Sequence, residues 1–195
     1  LGDNAIVIGS DGIARCAWAG SDQLCLAYHD DEWGRAVHGE QALYERICLE
    51  AFQSGLAWIT ILRKRPAFRV AFAEFDPDAV ACFDQGDVDR LLKDAGIVRN
   101  RRKIDAAITN ARATLTLRER GGLDEFVWSF APRHHRPPTD LSHVPAQTPE
   151  SVALSKALKQ NGFAHVGPTT MYAAMQACGL VDDHLAGCHR HAEPR

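Results

Sequence analysis

The sequence predicts an all-α fold, and three observations carry that prediction. Apolar residues in 40–55 recur at helical intervals, with Leu43 and Ile47 on one row and Tyr44, Cys48 and Ala51 on the next. Two helix starts are marked by a capping side chain followed by proline: Asp76 before Pro77, and Thr148 before Pro149 and Glu150. Only residues 5–8 look strand-like, and so short a run cannot found a sheet.

The remaining elements follow in order. Residues 88–95 and 101–118 read as two helices separated by Gly96, Ile97 and Val98. Gly162 is placed to end the helix that Thr148 begins, and residues 171–178 form another, closed by Gly179. Residues 132–149, rich in proline and histidine, read as a long surface loop. Residues 1–14 and 189–195 read as loose ends, leaving 15–188 as one domain of two helical lobes. With helices on both sides of the loop, the two chain ends can share a lobe.

Composition narrows the function classes. A chain of 195 residues, 46% hydrophobic, buries one substantial core. No apolar run approaches the roughly 18 residues of a membrane span, and the first residues lack the basic-then-apolar pattern of a secretory signal. A net charge of −3 argues against wrapping a long polyanion, yet leaves room for a local basic patch. The six cysteines lack the dense spacing of a disulfide scaffold. Reduced thiols in a cytoplasmic protein are expected.

Four residues have metal-ligand chemistry at suggestive spacing: Cys16 with His29, and His184 with Cys188. Zinc takes four thiolate or imidazole ligands in a tetrahedron, and a closed set of four is structural. Such a set would staple the two ends together. The competing account is two buried thiols and two surface histidines. His189 and His191 are further candidate ligands.

A second stretch joins a hairpin to a charge run. Gly96 permits a tight turn, Ile97 plugs the space between helices, and Arg99, Arg101, Arg102 and Lys103 bring four cations within five residues. Backbone N–H groups at such a turn hold phosphate. A helix pair with a solvated basic face is the alternative, but here glycine turn and charges coincide. Arg63, Lys64 and Arg65 would extend the footprint.

A third constellation is aromatic. Trp18, Tyr28, Trp33 and Trp58 cluster early in the chain, and flat π faces are what a base-reading pocket needs. Core packing accounts equally well for some of them. Glu50 shifts the balance, because it shares the inner row of Leu43 and Ile47. A carboxylate there must find a partner or a role. A salt bridge to an arginine is the competing account.

Together, Cys16-Ala17-Trp18, the run from Ala27 to Gly34, Ile47-Cys48-Leu49-Glu50, Gly55 to Thr60, Asp94-Ala95-Gly96-Ile97 and Met175 to His184 resemble the bacterial 3-methyladenine DNA glycosylase I family. The resemblance runs from about Cys16 to Cys188. It implies an all-α helix-hairpin-helix glycosylase with one structural zinc on Cys16, His29, His184 and Cys188. It also implies a base-contacting Glu50, and stacking by Tyr28 and Trp58 with Trp18 and Trp33 nearby. The chain departs from the family at Cys25 and Phe52, which predicts a difference in one pocket wall.

The activity so implied is hydrolysis of the N-glycosidic bond of 3-methyladenine in double-stranded DNA, with the free base as product and a monomer as the working unit. No lysine is obviously placed as a Schiff-base nucleophile, so no strand-cleaving lyase step is expected. The rival from another class is a zinc-stapled DNA-binding module without catalysis. It explains the ligands and the basic run, and leaves Glu50 and the aromatics without a task.

Overall fold

The structure, a computed structural model, describes residues 5–191; residues 1–4 and 192–195, parts of the expected loose ends, lie outside that range. Along the chain come β1 (Ile6–Ile8) and β2 (Ala14–Cys16), then α1 (Gln23–Asp31), α2 (Glu40–Gln53), α3 (Trp58–Ala71), α4 (Pro77–Ala81), α5 (Gln85–Lys93), α6 (Arg101–Leu117), α7 (Gly122–Trp128), α8 (Pro149–Gln160) and α9 (Pro168–Ala177). The architecture is mostly helical. No helix among the described residues is long and apolar enough to cross a membrane.

Both marked helix starts behave as their chemistry requires. The Asp76 carboxylate accepts from the Asp78 N–H. Thr148 and Ser151 exchange side-chain and backbone bonds in a reciprocal capping box. Helix α2 is the hub: it packs against α3, α6, α7 and α9. Its last two turns are buried on every side, from Ile47 to Phe52. Tyr44 anchors it to α6 by donating to the Ala107 carbonyl at 2.9 Å.

One expectation changes. The strand-like residues near the start pair antiparallel with Ala14–Cys16, with Ile6 opposite Cys16. The turn between them is closed by Asp11, which accepts from the Ile13 N–H, and by Gly12 at positive φ. This ribbon delivers Cys16 to the interior.

The two ends of the chain are sewn together. Gly34 N–H donates to the Gln176 carbonyl at 3.1 Å, Val37 N–H to that of Cys178 at 3.0 Å, and His189 N–H to that of Ala14 at 2.8 Å. Gly179 makes this crossing possible. Its φ is +74°, and a Cβ there would overlap the Arg35 carbonyl. Gly179→Ala is therefore expected to cost more than about 1–2 kcal/mol and to lower Tm by several degrees, measured by thermal denaturation.

Candidate functional site

Trp18, Tyr28, Trp33, Glu50 and Trp58, scattered over three elements and two loops, line one cavity of about 250 Å³. Helix α1 brings Tyr28, α2 brings Glu50, and the first residue of α3 is Trp58. The volume suits a small planar ligand, below the roughly 300–1,000 Å³ of pockets for drug-sized molecules. Tyr28 and Trp58 touch each other, with centroids 5.2 Å apart and planes inclined by 49°. A ring held between two parallel faces needs about 7 Å between them, twice a carbon–carbon contact. The pair thus makes one aromatic corner rather than two walls of a slot. Trp18 and Trp33 pack edge to face at 4.9 Å as a second corner. The Trp58 indole Nε1 is buried and has no hydrogen-bond partner among the described residues.

Glu50 is 5% exposed. Its carboxyl makes no hydrogen bond or ion pair among the described residues, so the salt-bridge account finds no support. Burial raises it to about 8, with Arg46 one turn earlier on α2 opposing the shift. Arg46 is engaged elsewhere through Nη2, while its Nη1 is buried with no hydrogen-bond partner among the described residues. It donates to Glu32 at 2.7 Å and lies 5.8 Å from the centre of the Tyr28 ring. Arg65 grips the same Glu32 with two bonds, at 2.6 and 2.7 Å.

The cavity includes residues that sequence reasoning did not single out. Gln53, Gln176 and Asp183 add polar groups; Leu141, Val144, Ala173 and Leu185 add apolar wall. Asp183 is 2% exposed. It accepts from Tyr172 Oη at 2.6 Å and Gln176 Nε2 at 2.7 Å, and pairs with His135 Nε2 at 3.1 Å. Gln53 was legible in principle, one turn after Glu50 on the same row. Leu141 and Val144 come from the proline-rich loop, where no periodicity points inward. Cys25 and Phe52 lie elsewhere: Cys25 packs with Tyr28 and Leu62, and Phe52 packs in the core against Phe68, with centroids 4.6 Å apart and planes tilted by 52°. Neither lines the cavity.

Beside the cavity, Cys16, His29 and Cys188 converge, with their ligand atoms all within 4.8 Å of one another. The His184 ring packs edge to face on that of His29 at 4.9 Å. Each histidine holds a carboxylate through Nδ1, His29 with Asp30 and His184 with Asp182, both at 2.7 Å. That leaves Nε2 of each ring turned to the interior, and His184 Nε2 is buried without a partner. A hydrogen bond with Cys16, and another with His29, hold the Cys188 thiol well below its ordinary value. Two sulfurs and one imidazole with a carboxylate-held Nδ1 fit a metal ion; His184, the fourth expected ligand, packs against His29 but its ring is not among the three groups that converge. His189 and His191 serve as outer struts, on the Ala14 and His184 carbonyls respectively.

The basic run sits at the turn between α5 and α6. Ile97 is buried between the helices. Gly96 packs close, since a Cβ there would lie 2.9 Å from Ala67 Cβ. The Asn100 side chain caps α6 through the Lys103 N–H. Arg99, Arg101 and Arg102 are exposed; Arg101 reaches Gln85 at 2.8 Å. Lys103 differs, being tied to the Phe52 and Ser54 carbonyls at the end of α2. Lys64 holds the Ala95 and Gly96 carbonyls, and Arg63 pairs with Asp22. Arg101, Arg102 and Lys103 occupy the first turn of α6, which carries no acidic residue. Cations are disfavoured at that end by the helix dipole.

Comparison with known proteins agrees with this geometry. Residues 18–191 match the methyladenine glycosylase family. The chain is 51% identical to DNA-3-methyladenine glycosylase 1 of Escherichia coli K12 over 179 residues, covering 89% of this chain and 95% of that protein. It superposes on a crystal structure of 3-methyladenine DNA glycosylase I with a TM-score of 0.88 at 48% identity, covering 91% of this chain and 99% of the other. A structure of the Staphylococcus aureus enzyme, solved for its recognition of 3-methyladenine, gives a TM-score of 0.87 at 33% identity, with 93% and 98% covered. The chain belongs to the methyladenine glycosylase family.

Proposed function

We propose that this protein is a monofunctional DNA repair glycosylase that hydrolyses the N-glycosidic bond of 3-methyladenine in double-stranded DNA, releasing the free base and leaving an abasic site. The observation that carries the reading is the buried, unpaired Glu50 in an aromatic cavity. Its residence there is costly unless a ligand supplies what it lacks. An alkylated adenine is cationic while attached to the sugar, so it supplies a positive charge and an amino edge to donate hydrogen bonds to Glu50.

The base enters flipped out of the duplex. The Tyr28–Trp58 corner and the Trp18–Trp33 corner offer π faces to the cationic ring. As the C1′–N bond breaks, its electron pair goes to the base and cancels that charge, so the leaving group is good without strong acid catalysis. Water adds to C1′ and loses a proton. The chain's task is to orient the base and hold the electron-poor sugar near a negative cavity. No lysine is among the cavity-lining residues, which supports hydrolysis without a lyase step.

Cys16, His29, His184 and Cys188 hold one zinc in this reading. With four protein ligands, the ion cross-links the chain ends and takes no part in hydrolysis. Residues 15–188 then form one working domain, and a cavity complete within a single chain supports a monomer. Six unpaired cysteines support the cytoplasm as its compartment.

Helix α5, the Gly96 turn and α6 act as a helix-hairpin-helix that grips the DNA backbone. Gly96, Arg99, Arg101, Arg102 and Lys103 form the phosphate patch, with Lys103 acting mainly by bracing α2 against α6. The first turn of α6 carries three cations and no acidic residue, with only Arg101 reaching a carboxylate among the described residues, Asp105 at 3.6 Å; this supports the reading, because phosphate would satisfy the remaining charge. Arg101→Ala with Arg102→Ala should lower the slope of log K against log salt by about 1.8, at 0.9 per contact, equally for any duplex sequence. Lys103→Met should lower stability more than slope. An unchanged slope in the double variant would remove the hairpin from the DNA interface.

Binding of free 3-methyladenine tests the cavity itself. Its proton resonances should move upfield in NMR titration as the ring stacks on the indoles. Unmoved resonances at millimolar protein would contradict the assignment.

A further inference from the structure

We infer that the zinc site and the base cavity share a wall, so that metal occupancy and base binding are thermodynamically coupled through Trp33 and Trp18. This inference rests on the glycosylase and zinc readings above. The ligand set and the cavity lining interleave along the chain. Tyr28 precedes His29, Trp18 lies two residues after Cys16, and Asp183 and Leu185 flank His184; all four line the cavity. Trp33, also in the lining, packs edge to face on the His184 ring at 4.6 Å and lies stacked with that of His29 at 6.4 Å. Trp18 packs on His29 at 5.3 Å. Gly34 presses the chain after Trp33 onto the same imidazole, since a Cβ there would come 2.9 Å from His184 Cε1.

These contacts give the coupling a physical route. The imidazoles are fixed at one nitrogen by Asp30 and Asp182; the other nitrogen of His29 lies 3.5 Å from Cys188 Sγ, and the His184 ring packs on that of His29. An ion there completes the orientation of both rings. His184 Nε2 is buried with no hydrogen-bond partner among the described residues, so a ring that no ion holds would turn or recruit water. The two indoles rest directly on these rings on one side and border the cavity on the other, so a turn of either imidazole moves the cavity wall. A base stacked on those indoles resists the same displacement. Linkage is reciprocal: whatever factor the metal adds to base affinity, the base adds to metal affinity. Coupling of about tenfold is expected, within the usual range for linked sites.

Cobalt(II) in place of zinc gives a test independent of activity. The cobalt-loaded protein is titrated with free 3-methyladenine while its d–d absorption is recorded, and calorimetry gives the binding midpoint. The d–d bands should shift with that same midpoint. Trp33→Leu should keep saturable, weaker binding and lose the shift, and Trp33→Phe should retain part of it. General stabilisation by the ligand would not move the bands, because the metal stays bound throughout. Calorimetric saturation with an unchanged cobalt spectrum would overturn the coupling while leaving the glycosylase reading intact. No heat and no saturation would refute the base site, and failure to take up cobalt would refute the metal site; either removes the inference as well.

Discussion

Glu50→Gln is expected to lower the rate of 3-methyladenine release from duplex DNA by roughly a hundredfold at pH 8, and by progressively less as the pH falls. A carboxylate near the cationic ring contributes on the order of 4 kcal/mol at 4 Å with an effective dielectric near 20, and a hundredfold loss needs about 2.7 kcal/mol. The pH dependence follows from burial, which holds Glu50 protonated up to about 8 in the empty site. A cation entering the cavity favours the ionised form, so a proton must leave as the lesion binds. The wild-type kcat/KM should therefore rise with pH and level off near 8, while the Gln variant should lack this rise. A wild-type profile parallel to that of Glu50→Gln would show that Glu50 does not meet the lesion as a carboxylate.

The same shift sets a stability cost of opposite sign. With its folded pKa raised above that of the unfolded chain, Glu50 is best accommodated below about 4.5, where both states are protonated, and stability is lost as pH rises through about 8. At about 1.4 kcal/mol per pH unit over about 3.5 units, the full penalty is on the order of 5 kcal/mol. Glu50→Gln should accordingly raise Tm at pH 8.5 and match wild type near pH 4.5. A site that loses activity and gains stability on the same substitution is one kept for function.

Cys188→Ser is expected to give the largest loss of stability, with loss of one stoichiometric zinc and a fall in Tm on the order of 10 °C or more. Closing a loop from Cys16 to Cys188 constrains nearly the whole unfolded chain. In the chain-entropy treatment of cross-links, loops of 100 residues or more are worth about 5 kcal/mol. For a chain of this length each kcal/mol moves Tm by about 2–4 °C. Excision per folded molecule, measured well below the transition, should fall by no more than about tenfold, as the proposed structural role of the ion requires. Metal analysis finding no stoichiometric zinc in wild-type protein would contradict the assignment.

Much of this was legible before any coordinates because the signals were local. Asp76 and Thr148 announce helices through capping chemistry confined to a few residues. The inner-row position of Glu50 needs only the 3.6-residue period. Other features depend on partners far along the chain. The early strand was visible, but its pairing with Ala14–Cys16 was not, since β2 is three residues with no alternation to read. Helix α3 holds Pro66 in its interior, and α7 opens on two positive-φ glycines, so each carries a breaker where sequence reasoning expects a former. The cavity role of Asp183 needs Tyr172, Gln176 and His135 in place around it. Lys103 looked like one more cation in a run; its attachment to the Phe52 and Ser54 carbonyls is a tertiary fact.

The central claim is tested most directly by incubating the protein with methylated duplex DNA, separating the released bases by chromatography and counting abasic sites and strand breaks in the same sample. Free 3-methyladenine should appear in equal number to abasic sites, with no enzyme-dependent strand breaks and with release strongly reduced in Glu50→Gln at pH 8. Tight binding to the duplex with no base released would contradict the account, and would leave a zinc-stapled DNA-binding module in its place.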